Sequence, residues 1–91
     1  MAWKIKYLKS IQKEIRKINK GEQKKIREYL EDRIANADDP RKFGKALKGT
    51  HAEFWRYRVG QYRIICEIDD SEIVILVIRI GHRKDVYRKI K

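Results

Sequence analysis

Apolar and polar positions alternate at the start of the chain, where Lys4 and Lys6 separate Trp3, Ile5 and Tyr7. A period of two puts every second side chain on one face, so this run predicts a half-buried strand. After Ser10, a residue suited to capping a helix, the period lengthens. Ile11, Ile15 and Ile18 recur at helical spacing with lysine, glutamate and arginine between them. Asn19-Lys20-Gly21 breaks this first helix. A second starts near Glu22, and Ile26, Tyr29, Leu30, Ile34 and Ala37 mark its buried stripe. Asp38-Asp39-Pro40 ends it, because the residue before a proline disfavours helix. Two helices joined by so short a break predict an antiparallel hairpin.

The rest of the chain changes to strand-like patterning. Residues 40–44 form a turn, Ala46-Leu47-Lys48 a short edge strand, and residues 51–54 a loop. Trp55 to Val59 alternates aromatic and basic residues, Gly60-Gln61 turns, and Tyr62 to Ile68 runs back. Asp69-Asp70-Ser71 makes the next turn before Glu72 to Ile80. Within that last run, residues 73–78 are apolar on both faces, which predicts a central strand covered on both sides. Gly81 ends it, and residues 85–91 read as a short terminal helix. The pattern is β-α-α-β-β-β-α: an α+β fold in which an antiparallel meander packs against a two-helix hairpin. Ninety-one residues make a single domain, 1–91, too small for a second hydrophobic core.

Charge adds a partner to this picture. The chain carries 24 lysines and arginines against 13 acids, a formal net charge of +11. That excess favours nucleic acid, an acidic protein or an anionic membrane. Residues 1–50 hold 15 basic and 7 acidic side chains, net +8, mostly as lysine; residues 51–91 hold 9 and 6, net +3, mostly as arginine. Lysine gives a diffuse field, whereas arginine gives a rigid fork that fits phosphate oxygens. Lys13, Lys17, Lys20, Lys24 and Lys25 read as a solvated helix face, or as guidance toward RNA. No apolar run approaches the ~20 residues of a membrane span, and Met1-Ala2-Trp3-Lys4 does not open like a secretion signal. The single cysteine, Cys66, has no internal disulfide partner and reads as a small core residue. A cytoplasmic protein with no membrane partner is expected.

The candidate chemistry lies in the second half. Arg56 and Arg58 share one face of their strand, while Trp55, Tyr57 and Val59 share the other. Arg63 follows on the returning strand, and its face depends on register. Arg83 and Tyr87 lie in the tail. Clustered guanidiniums repel one another unless a polyanion sits among them. Metal-free RNA cleavage needs the 2′-hydroxyl activated, the phosphorane charge stabilised and the leaving oxygen protonated. Arginines suit the second task. A tyrosine can stack on a base or donate its hydroxyl. For proton transfer, His82 is the best candidate, since imidazole ordinarily titrates near neutrality; arginine stays protonated. Structural roles compete with each reading: Arg63 paired with Glu67, Arg83 with Asp85, Tyr87 packing the terminal helix, and His82 capping a strand. His51 and His82 are too distant in sequence to suggest a metal site, and no cofactor is expected.

The hairpin W-R-Y-R-V-G-Q-Y-R-I-I and the tail I-G-H-R-K-D-V-Y resemble the RelE branch of the RelE/ParE superfamily of prokaryotic toxins. The resemblance spans essentially the whole chain, and the tail is its most specific part. It implies a microbial-ribonuclease-like fold and the toxin half of a type II toxin–antitoxin module. It further implies a ribosome-dependent mRNA endoribonuclease that enters the A site and cuts by metal-free 2′-hydroxyl attack. A cognate, acidic, RelB-like antitoxin would block the site and carry the operator-DNA contact, so that DNA is met only indirectly. By the same resemblance Arg56, Arg58, Arg63 and Arg83 bind phosphate, while Arg58, Arg63, Arg83, Tyr87 and His82 are the catalytic candidates. Family members carry lysines where Arg56 and Arg58 stand, and the stretch from Arg83 to Tyr87 is short. Some relatives use a tail histidine as an acid beside a carboxylate, for which Glu53 is the positional candidate. Two alternatives remain open: a ParE-like gyrase inhibitor on the same fold, and a non-catalytic RNA- or protein-binding module.

Overall fold

The structure, a computed structural model, describes residues 2–47 and 54–82. Strand β1 (Lys4–Tyr7) leads into helix α1 (Lys9–Arg16) and helix α2 (Lys20–Glu28). A π-helical turn (Tyr29–Ile34) and a 3-10 turn (Pro40–Phe43) follow, then strands β2 (Lys45–Ala46), β3 (Phe54–Val59), β4 (Tyr62–Asp69) and β5 (Val74–His82). The expected terminal helix over residues 85–91 lies outside the described residues.

Ser10 does not cap α1. The helix begins at Lys9, with Leu8 at the capping position and no side-chain cap. The Leu8 amide instead donates to the Val77 carbonyl at 3.3 Å, so the end of β1 delivers the chain directly into the helix. Ile11 and Ile15 are its buried residues. Asn19 breaks the first helix by capping the second: its Oδ1 accepts from the Glu22 amide at 2.9 Å. The second helix does not continue to Ala37. Beyond Glu28 it widens by one residue per turn, and the Ala35 amide donates to the Leu30 carbonyl at 2.9 Å. This keeps Leu30 and Ile34 facing the core, both fully buried. The segment then closes toward β1, where the Trp3 amide donates to the Ala35 carbonyl at 2.7 Å.

The sheet has the order β1-β5-β4-β3-β2. It is not wholly antiparallel: β1 runs parallel to β5, while the other three pairings are antiparallel. The helical hairpin accounts for this, because it carries the chain away from β1 before the meander returns to it. As expected, β5 is an interior strand, flanked by β1 and β4. The apolar run of residues 73–78 is divided. Ile73 lies in the preceding turn with φ 55°, Ile75 and Val77 are fully buried, and Val74, Leu76 and Ile78 are half-buried.

One sheet face packs on the helices. Tyr57, Val59, Ile64, Cys66, Ile68, Ile75, Val77 and Ile80 join Ile11, Ile15, Ile26, Leu30 and Ile34 in one core. Removing such apolar surface from water is the main force holding the layers together. Burial pushes the Cys66 thiol far above its ordinary range, so it is a core residue. The opposite face carries Arg56, Arg58 and Arg63 together with the fully buried Ile65.

Candidate functional site

The β3–β4 hairpin builds the site. Gly60, at φ +58°, occupies the left-handed region that a side chain would disfavour, and so permits the short turn. The turn fixes the register: Val59 faces Tyr62, Arg58 faces Arg63 and Arg56 faces Ile65. Cross-strand partners share a face, so Arg63 lies on the same side as Arg56 and Arg58. Tyr57 and Val59 are buried on the helix side, and Trp55 is half-buried there.

Two rows of side chains cross this open face. Gly81, Arg63 and Arg58 form one row; Arg79, Ile65, Arg56 and Lys45 form the next. Arg79 was not legible as a member. Plain alternation from Ile75 and Val77 would turn it toward the core. A bulge intervenes: Cys66 pairs with Val77 and Ile65 with Arg79, leaving Ile78 as the extra residue. The bulge moves Arg79 to the open face and returns Ile80 to the core.

A groove of about 300 Å³ lies over this patch, lined by Lys42, Phe43, Gly44, Lys45, Arg56, Arg58 and Arg63. None of these lining residues is acidic. Arg63 does not pair with Glu67, which instead lines a separate hollow with Lys4, Lys6, Asp69 and Glu72. Among the described residues the Arg63 Nη1 is buried without a hydrogen-bond partner. A buried donor left unpaired is costly, and a guanidinium is more costly still. A bound anion would relieve that cost and the mutual repulsion of the cations together.

The 3-10 turn forming the groove's rim is held firmly. Asp39 Oδ1 accepts from the Arg41 amide at 3.1 Å, and the buried Tyr57 hydroxyl donates to the Pro40 carbonyl at 2.8 Å. Arg41 grips Asp70 with both Nη atoms, at 3.0 and 2.6 Å, and its guanidinium stacks 5.7 Å from the Trp55 ring centroid. The Arg41 hydrogen bonds hold the Asp70 carboxyl below its usual range. Gly44 allows the rim to touch the sheet: a Cβ there would lie 2.6 Å from the Arg56 carbonyl oxygen and 2.9 Å from the Tyr57 ring.

His82 is placed elsewhere. It pairs with Tyr62 on the helix side of the sheet, their rings 6.2 Å apart and at 74°. There it borders a hollow with Glu14, Lys17, Ile18, Tyr62, Ile80 and Gly81. The sheet therefore separates its imidazole from the arginine groove, because His82 follows Ile80 in alternation after the bulge. The expected convergence of His82 with Arg58 and Arg63 does not occur. Arg83 and Tyr87 lie outside the described residues, as do Asp85, Glu53 and His51. Among the described residues no group of three histidine, cysteine or acidic side chains could hold a metal ion, and no helix is long and apolar enough to cross a membrane.

Comparison with known proteins joins this geometry to a family. Residues 5–87 match the model of the ParE toxin of the type II toxin–antitoxin system parDE. The chain belongs to this toxin family, within the RelE/ParE superfamily. The proteins it is similar to include toxins named RelG and RelE. It is 35% identical to Toxin RelG of Mycobacterium tuberculosis over 51 residues, which are 56% of this chain and 59% of that protein. The match thus spans less than two thirds of that relative's length. The chain also superposes on a RelBE toxin–antitoxin complex from Mycobacterium tuberculosis with a TM-score of 0.82 at 21% identity, covering 93% of this chain and 95% of the other. A RelB–RelE complex from Methanococcus jannaschii gives 0.71 at 27% identity, covering 94% and 99%.

The groove includes Lys42, Phe43 and Lys45, which the sequence alone did not single out. All three precede the hairpin and reach it only through the rim contacts of Pro40, Arg41 and Gly44. The run Pro-Arg-Lys-Phe-Gly-Lys, with its dense cations around one aromatic, is the signal that marks them in retrospect.

Proposed function

We propose that this chain is the toxin of a toxin–antitoxin pair and acts as a ribosome-dependent mRNA endoribonuclease. One observation carries the reading. Arg58 and Arg63 face each other in a groove without acidic lining, and Arg63 keeps a buried guanidinium nitrogen that has no hydrogen-bond partner among the described residues. That arrangement suits a phosphodiester.

In the proposed reaction the RNA 2′-oxygen attacks the adjacent phosphorus. The bond to the 5′-oxygen of the next nucleotide breaks, leaving a 2′,3′-cyclic phosphate. One proton leaves the 2′-hydroxyl and one reaches the departing oxygen. Arg58 and Arg63 hold the non-bridging oxygens and stabilise the charge that grows on them. Arg56 and the rim lysines steer the strand through its phosphates. Arg83 and Tyr87, carried over from the family resemblance, would complete the set as a fourth cation and a stacking or proton-donating phenol. His82 is not assigned the acid role, since it lies across the sheet from the arginines. The ribosome supplies orientation and the missing proton-transfer groups, so the free protein is expected to cut RNA poorly.

A cognate antitoxin, acidic where it meets this groove, would suppress the activity by occupying the cations. The complexes formed by the RelE relatives with RelB antitoxins support that partner. Primer extension on mRNA from translating ribosomes tests the reading: cuts within translated codons support it. Double-strand DNA breaks with intact mRNA would instead indicate a gyrase inhibitor, the activity expected of the ParE branch.

A further inference from the structure

Phe43 is one of two large hydrophobic side chains left well exposed among the described residues, at 44%. The other aromatics near the core (Trp3, Tyr7, Tyr29, Trp55 and Tyr62) pack against it. Phe43 lies on the wall of the arginine groove, next to Lys42 and Lys45. Its backbone is not loosely held. The 3-10 turn is tied to the sheet by Tyr57 through Pro40, to the β4–β5 turn by Arg41 through Asp70, and by the close approach of Gly44. A rigid mount that leaves an aromatic ring exposed beside five cations has no evident use in folding, since it buries little.

We propose that Phe43 is a stacking platform for one unpaired nucleobase of a single-stranded RNA whose phosphates lie on Lys42, Lys45, Arg58 and Arg63. This deepens the reading of the groove as an RNA site and rests on it. Single-stranded nucleic acid is bound by a basic track for the backbone combined with aromatic faces for the bases. Both parts are present on one wall. An acidic peptide would satisfy the cations equally well, but it has no use for a flat ring; an apolar side chain of any shape would serve it. The aromatic face therefore favours RNA. Because the platform lies outside the Arg58–Arg63 pair, it would select which nucleotide enters rather than take part in bond breaking.

The test uses the full chain and a short 2′-O-methyl oligonucleotide, which cannot be cut by 2′-hydroxyl attack. A 2-aminopurine or an abasic residue is placed at each position in turn. The wild type should quench 2-aminopurine at one position, and an abasic residue there should weaken binding by about tenfold. Phe43→Leu, which keeps apolar bulk but removes the ring, should bind the intact and abasic oligonucleotides equally. Phe43→Trp should restore the discrimination. Arg63→Ala should weaken both oligonucleotides by the same factor. Thermal melts verify that each variant is folded. The proposal is overturned if Phe43→Leu discriminates as the wild type does, or if the wild type discriminates at no position. It is also overturned if Phe43→Leu weakens only the binding of an acidic antitoxin peptide. Phe43-dependent discrimination by a protein that cuts no translated mRNA would leave the platform standing and remove the nuclease reading. Normal cleavage with unchanged discrimination in Phe43→Leu would remove the platform alone.

Discussion

Arg58 and Arg63 stand directly opposite one another on adjacent antiparallel strands, and no acidic residue lines the groove they share. Like charges facing across a ladder oppose folding by roughly 0.2–1 kcal/mol. The pair is thus a local cost that function explains and folding does not. Arg58 is the exposed member, so Arg58→Gln should remove the repulsion without opening a cavity. Its urea midpoint should rise, by about 0.2–1 kcal/mol of stability, with an unchanged m-value, while RNA binding falls. A lower midpoint would mean that the pair supports the fold.

Gly44 sets how closely the groove's rim approaches the sheet. Its backbone is extended (φ −133°, ψ −171°), so conformation alone would tolerate alanine. Space would not, because the added carbon meets the Arg56 carbonyl and the Tyr57 ring. Gly44→Ala should destabilise by about 1–3 kcal/mol, the usual range for overpacking. It should also weaken oligonucleotide binding by displacing Lys45 and Phe43. Wild-type stability in a denaturant titration would contradict the close contact.

The Arg41–Asp70 pair gives the rim a pH dependence. Hydrogen bonds from Arg41 lower the Asp70 pKa in the folded state. A lowered folded pKa means that the unfolded chain takes up the proton first as pH falls. The stabilisation is therefore complete above the ordinary aspartate value of about 3.9 and is lost as pH falls through the lowered folded value. Subtracting the stability-versus-pH curve of Asp70→Asn from that of the wild type should give a plateau above the ordinary value and a decline below it. A flat difference throughout would show that the pair contributes nothing in solution.

Much of the fold was readable from periodicity, because each element keeps one clean buried stripe. Ile11 and Ile15, or Ile26 and Leu30, could face only one way. The hairpin was readable for the same reason: Tyr57 and Val59 had to be inside, which left Arg56 and Arg58 outside. Register was not readable, since a shift of one residue reverses every side chain of a strand. Arg63 therefore waited on the structure. Arg79 and His82 were obscured by the bulge at Ile78, which alternation cannot foresee. Phe43 and Lys45 depend on tertiary contacts from Tyr57 and Asp70, which leave no local periodic trace. The parallel pairing of β1 was hidden similarly, because it joins strands from opposite ends of the chain.

The most direct measurement of the central claim is primer extension on mRNA recovered from translating ribosomes, comparing wild type with the Arg58→Ala, Arg63→Ala double variant. The account predicts cuts within translated codons for the wild type. In a double variant that still melts cooperatively, those cuts should fall by about 100-fold or more, the scale of losing preorganised charge stabilisation. Equal cleavage by the folded double variant, or growth arrest by the wild type with translated mRNA left whole, would contradict it.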